Sequence, residues 1–130
     1  MADFNLPAGL NGEKSELVTV SNTAKAYGSG SVDVYATPAM IGLMEGACLS
    51  VVDPLLPQGF ATVGVQLHVA HLAATALEQT VTAKAELITI SGRKLVFNVT
   101  AFDQRQKIGE GTHERFIVEL EKFLAKTQTG

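Results

Sequence analysis

An α+β domain, with one long apolar helix wrapped by an antiparallel sheet, is what this sequence predicts, on three observations. A single strongly helical stretch runs from Ala36 through Ala47 to about Val52; it opens with Thr37-Pro38 and is apolar almost all round. Four long β-like segments then follow with no helix between them. Two of these, Thr80 to Ile90 and Lys94 to Asp103, are separated only by Ser91-Gly92-Arg93, a hairpin turn with glycine available for positive φ. Strands joined without crossover helices pair antiparallel, which argues against a parallel βαβ array.

Taken in order, Met1 to Lys14 mixes Asn, Pro and Gly without a sustained period and reads as a loose lead-in. Glu16 to Ser21, carrying Leu17, Val18 and Val20, reads as a first strand. The glycine-rich Tyr27-Gly28-Ser29-Gly30-Ser31 lacks the Lys-Ser/Thr ending of a phosphate loop and reads as an irregular passage over the mouth of whatever the helix lines. Val32, Val34 and Ala36 alternate with Asp33 and Tyr35 as a short strand feeding the helix, which Asp53 to Gly59 ends with a run of breakers. In Ala61 to Leu72 the period-two set Val63, Val65, Leu67, Val69 and His71 shares a face, and His68 takes the other. Lys107 to Leu120 alternates less cleanly, so its second half reads as strand; Glu121 to Gly130 reads as a turn of helix that frays.

The 130 residues, 46% hydrophobic and 18% charged, suit one domain spanning 1–130. A net charge of -3 without a Lys/Arg run argues against nucleic acid and against a membrane surface. No run approaches eighteen apolar residues and no secretory leader is apparent, so a cytoplasmic location is expected. The one cysteine, Cys48, lies within the apolar helix and offers neither a disulfide framework nor metal spacing. A long edge strand needs a partner, so dimerisation is expected.

Three residues can carry chemistry, and each has a plainer reading. Glu45 is one carboxylate on an apolar helix: it either reaches solvent by chance or is a partly desolvated base or nucleophile. His71 is either a hydrogen-bonded core histidine or a proton carrier converging on Glu45. Thr37 is an N-cap, or a hydroxyl placed where a helix N-terminus favours developing negative charge.

The strings Gly30-Ser-Val-Asp-Val-Tyr-Ala-Thr-Pro-Ala-Met-Ile-Gly-Leu-Met-Glu-Gly-Ala47, Thr62-Val-Gly-Val-Gln-Leu-His-Val-Ala-His71 and Val81-Thr-Ala-Lys-Ala-Glu-Leu87 resemble the hotdog-fold thioesterases of the fluoroacetyl-CoA thioesterase-like group, over Gly30 to Arg115. The resemblance places the family's threonine, glutamate and histidine on Thr37, Glu45 and His71, its strand glycine on Gly64 and a late arginine on Arg115. It implies a hotdog fold, a homodimer, possibly a tetramer, and acyl-CoA entering near the subunit interface. The implied reaction is hydrolysis of a short or medium acyl thioester to acid and CoA, without metal or organic cofactor. In it Glu45 attacks the carbonyl or activates water, Thr37 donates a hydrogen bond, and His71 moves a proton or orients the acyl group. Gly64 would let backbone N–H approach the substrate, and Arg115 would either meet the CoA phosphates, with Lys94 or Arg93, or be an ordinary solvated arginine.

Spacing adds a constraint of its own. Thr37 and Glu45 are eight residues apart, about 12 Å of helix rise, too far for a direct hydrogen bond; a substrate or water spans them, the chain bends, or Thr37 comes from a partner subunit, the alternative favoured here. The fluoroacetyl-selective member of the group carries aromatic lid residues where this chain has Tyr27 to Ser31, so a different acyl group is expected. The competing function is a non-catalytic acyl-CoA or apolar-ligand module on the same fold. A hydratase fits less well, since Glu45, Thr37 and a distant His71 do not resemble that group's compact Asp/His pair.

Overall fold

The computed structural model describes residues 4–128; residues 1–3 of the expected lead-in and 129–130 of the tail lie outside the described residues. The chain runs β1 (Asn11–Leu17), α1 (Ala24–Tyr27), α2 (Thr37–Val52), β2 (Phe60–His71), β3 (Thr80–Ser91), β4 (Lys94–Phe102), β5 (Lys107–Glu119) and α3 (Leu120–Gln128). The strands form one antiparallel sheet in the order β1-β3-β4-β5-β2, curled around α2. The β3–β4 hairpin forms as expected: Ser91 pairs with Lys94, and Gly92 turns the chain at φ 62°.

Helix α2 begins where Pro38 fits the first turn, but its N-cap is Ala36, which makes no side-chain cap bond. Thr37 is therefore not the cap, and its hydroxyl is left for another partner. Met40, Leu43, Met44, Ala47, Cys48 and Val52 are buried against a sheet face carrying Val81, Leu87, Phe97, Val99, Ile108 and Ile117. Close approach is achieved at Gly109, where a Cβ would lie 2.6 Å from Met40 Sδ. The expectation that the helix is covered all round needs correction. Pro38, Gly42 and Leu49 are exposed and Glu45 is half-buried, and their three- and four-residue spacing leaves one side of α2 open. The continuous segment Thr37–Leu55 also corrects the hydropathy reading. It is 19 residues long and its mean hydropathy reaches 1.2, enough by length and composition alone to cross a bilayer, and here part of that apolar surface packs against the sheet.

Several boundaries move. The first strand is Asn11–Leu17, not Glu16 to Ser21, so the loose lead-in is shorter than Met1 to Lys14. Its polar sequence suits a sheet edge, while Val18, the apolar cue, is buried beyond the strand and bonded to Gln79 and Glu78. Val20–Asn22 is a 3-10 turn capped by Thr19. Val32 to Ala36 forms only isolated bridges, Thr23 to Tyr35 and Val34 to Ala76. Strand β5 spans its whole stretch, and the tail is a helix through Gln128 rather than a single turn.

The consequential change is in β2. A bulge between Gly64 and Gln66 reverses the alternation. Gly64 pairs with Arg115, Leu67 with His113, Val69 with Gly111 and His71 with Gly109, and directly paired residues share a face. Thr62 and Gly64 thus face the helix side together with Leu67, Val69 and His71, whereas Val63, paired with the exposed Phe116, points away. The uniform set from Val63 to His71 does not exist, but His71 still faces α2 and His68 does not.

Candidate active site

Two groups of side chains line the surface between α2 and β2. The first surrounds Glu45. Arg115 reaches it from β5 with Nη1 3.8 Å from Glu45 Oε2, and is otherwise tied into the protein: Nε donates to Thr62 Oγ1 at 2.8 Å and Nη2 to the Thr62 carbonyl at 2.9 Å. Thr62 in turn donates its hydroxyl to Asp53 Oδ1 at 2.6 Å and its N–H to Oδ2. Arg115 is 4% exposed, so it is not an ordinary solvated arginine. Of the two cations grouped with it, Lys94 pairs with Glu114 and Arg93 lies over the rings of Phe4 and Phe60.

His113, which sequence reasoning passed over, is fully buried beside this guanidinium. Its Nε2 lies 3.0 Å from Arg115 Nη1 and 3.9 Å from Glu45 Oε2, and its Nδ1 lies 2.8 Å from the Gln66 carbonyl. An arginine offers only donors and a carbonyl only accepts, so Nδ1 carries the proton and Nε2 is the acceptor. The ring is neutral, and its closeness to Glu45 is not a salt bridge. Burial holds the His113 pKa below the ordinary 6.5, the Gln66 carbonyl opposes that, and the Arg115 charge adds to the lowering. The signal available in sequence was the pair His113 and Arg115 at strand spacing, but the expectation of strand for only the second half of this segment left His113 unassigned.

Gly64 completes this group. A Cβ there would lie 2.8 Å from Glu45 Oε2 and 3.0 Å from His113 Cε1, so the space left by the absent side chain is filled by the carboxylate.

The second group is Thr37 and His71. Thr37 Oγ1 lies 2.7 Å from His71 Nδ1, while His71 Nε2 is buried without a hydrogen-bond partner among the described residues. Burial holds the His71 pKa below 6.5, with a backbone bond at Ala73 opposing, so the ring is neutral near pH 7. The pair opens on a cleft of about 360 Å³ lined also by Ser29, Tyr35, Leu72 and Ala73. Ser29 brings the glycine-rich stretch to its rim, as the sequence suggests.

The two groups do not meet within one chain. Thr37 and Glu45 are about 12 Å apart along α2, and Gly64 and His71 roughly 20 Å apart along β2. No hydrogen bond or ion pair joins Glu45 to Thr37 or His71 among the described residues. The structure therefore assembles Glu45 with Gly64 and Arg115, and Thr37 with His71.

The family model for the fluoroacetyl-CoA-specific thioesterase matches residues 18–121. The chain belongs to that family. It is 46% identical over 96 residues to a fluoroacetyl-CoA thioesterase of Streptantibioticus cattleyicolor, covering 74% of this chain and 69% of that protein. A solved structure of a fluoroacetyl-CoA thioesterase superposes with a TM-score of 0.89 at 37% identity, covering 95% of this chain and 96% of the other. A hot-dog-like protein from Thermanaerovibrio acidaminovorans matches with TM-score 0.86 and 29% identity over 99% of both chains. The hotdog fold and the class of thioester hydrolase thus agree with what the resemblance implied.

Proposed function

We propose that this family member hydrolyses a short or medium acyl-CoA thioester in a site completed by two subunits, with Glu45 of one and Thr37 and His71 of the other. The observation that carries the reading is the division of the site residues into two groups, each drawn together by close contacts and each too far from its complement in the same chain. The open features of the chain support it. Strand β2 is a sheet edge with Val65 and Leu67 exposed, and the uncovered side of α2 carries Glu45. Antiparallel pairing of two β2 edges about a two-fold between Leu67 and His68 sets Gly64 close to the partner's His71, so Glu45 gains the groups it lacks.

The chemistry then has its parts. Glu45 either adds to the thioester carbonyl, giving an acyl-enzyme that water hydrolyses, or takes a proton from the attacking water. In both routes the C–S bond breaks, a C–O bond forms, and over the turnover the departing thiolate gains a proton that water gives up, with the neutral Thr37–His71 pair passing it on through hydroxyl and ring. The Thr37 hydroxyl, at the N-terminal turn of α2, sits where the helix dipole favours an oxyanion. CoA enters only as part of the substrate; the reading uses no metal or organic cofactor, and a cytoplasmic setting accords with the reduced Cys48. The rim from Gly28 to Ser31 is small and exposed and favours an acyl group other than fluoroacetyl.

Glu45→Gln tests the reading. Free-thiol release from a panel of acyl-CoA esters falls by about a thousandfold or more, with folding and assembly unchanged. Unimpaired hydrolysis by that variant sinks the assignment of Glu45.

A further inference from the structure

We propose that His113 is a positioning residue which, by accepting a hydrogen bond from Arg115, holds the guanidinium against Glu45 and so fixes the carboxylate in its working orientation. The inference rests on the role of Glu45 proposed above.

The geometry is a relay with one free end. Arg115 is anchored at two of its nitrogens by Thr62, which is itself held by Asp53 just after the end of α2. Those bonds hold one edge of a rigid plane, which can still tilt about that edge. His113 supplies the third anchor: its Nε2 accepts from Arg115 Nη1 at 3.0 Å and so resists the tilt that would carry Nη1 away from Glu45 Oε2, which lies 3.8 Å from it. His113 is fixed in its turn, because its Nδ1–H is occupied by the Gln66 carbonyl, the residue just past the β2 bulge. Bulge, histidine, arginine and carboxylate are thereby linked in a fixed order. Among the described residues no hydrogen bond or ion pair holds Glu45 from the opposite side; its side chain is 36% exposed and sits on the open side of α2. A flexible, half-exposed carboxylate needs a directed neighbour to spend its time in one rotamer, and Arg115 is the group within reach. The charged and titratable groups around this relay are Glu45 and Cys48 from α2, Asp53 just after it, and Glu114 and Arg115 from β5. His113 is uncharged, so it acts by geometry and not by supplying charge.

Two substitutions separate aim from bulk. His113→Leu keeps an apolar volume in the core but accepts no hydrogen bond; His113→Gln restores an amide oxygen near the place of Nε2. Measured on the intact assembled protein, His113→Leu lowers kcat by about tenfold to a hundredfold with KM nearly unchanged, and His113→Gln recovers most of that loss. A nitrogen-15 spectrum of the wild-type imidazoles shows His113 protonated at Nδ1 only. The inference is overturned if His113→Leu keeps wild-type kcat, if a folded His113→Gln is as slow as His113→Leu, or if the ring carries its proton on Nε2. Should His113→Leu not fold, the glutamine variant and the tautomer decide. Glu45→Gln run in parallel keeps the two claims apart: its inactivity beside a fully active His113→Leu removes the positioning role alone, whereas an active Glu45→Gln removes the reading on which it rests.

Discussion

Gly64→Ala isolates the placement of Glu45 from its chemistry. Gly64 is not among the positive-φ residues, so alanine fits the backbone without strain. What it meets is the group around Glu45: the new methyl lies 2.8 Å from Glu45 Oε2, 3.0 Å from His113 Cε1 and 3.4 Å from Arg115 Nη1. Ordinary contact begins near 3.4 Å, so the carboxylate oxygen retreats by about 0.6 Å. His113 and Arg115 are buried and bonded, whereas Glu45 can swing toward solvent, so the displacement falls on the carboxylate. On the scale where a 1 Å misplacement costs about a hundredfold, kcat falls by about tenfold, roughly 1.4 kcal/mol of barrier. Stability drops by only about 1 kcal/mol, because the end of a flexible side chain gives way. Thiol-release kinetics alongside urea unfolding read both quantities. A variant with wild-type kcat, or one that loses several kcal/mol of stability instead, would refute the argument that Gly64 exists to admit the carboxylate.

Other consequences are structural. Arg115→Met strands the Thr62 carbonyl and His113 Nε2 without their donor, and urea denaturation should show a loss of about 2–4 kcal/mol. Gly109→Ala crowds Met40 and Met44, but only at flexible thioether ends, so a smaller cost of about 1–2 kcal/mol is expected in the same assay. Both His71 and His113 have folded pKa values below 6.5, so the fold favours their neutral forms. Their contribution is complete above pH 6.5 and is lost as pH falls below it through the folded values, since protonation then competes with folding. Thermal unfolding should therefore show a lower Tm at pH 5 than at pH 7, and His113→Gln should flatten that dependence.

What sequence could reach divides along physical lines. The hairpin at Gly92, the apolar helix and the antiparallel order depend on local chemistry and patterning, and the structure shows all three. β1 was displaced because an edge strand such as Asn-Gly-Glu-Lys-Ser-Glu-Leu needs no apolar alternation, while the apolar Val18 is buried outside the strand. The β2 bulge leaves no mark in a valine-rich run, so Val63 was assigned to a face that only its later neighbours occupy. Thr37, Glu45 and His71 could be named, but their division into two groups could be anticipated only for Thr37, from helix rise. Arg115 can be named from sequence, but its burial cannot, because it depends on bonds to Thr62, distant in the chain, and to His113. His113 shows the limit most clearly. A histidine among glutamates and threonine on a partly irregular strand reads as exposed until pairing with Leu67 and Phe97 puts it inside.

The two-subunit site can be tested by mixing inactive proteins. Thr37→Ala and Glu45→Gln are each purified, denatured together in equal amounts and refolded, and acyl-CoA hydrolysis is followed by thiol release. If Glu45 works with Thr37 of its partner, each mixed dimer holds one intact site, and activity returns to about a quarter of wild type at random assembly. If both residues serve one site within a chain, every site in the mixture carries a lesion, and activity stays at the level of the separate variants.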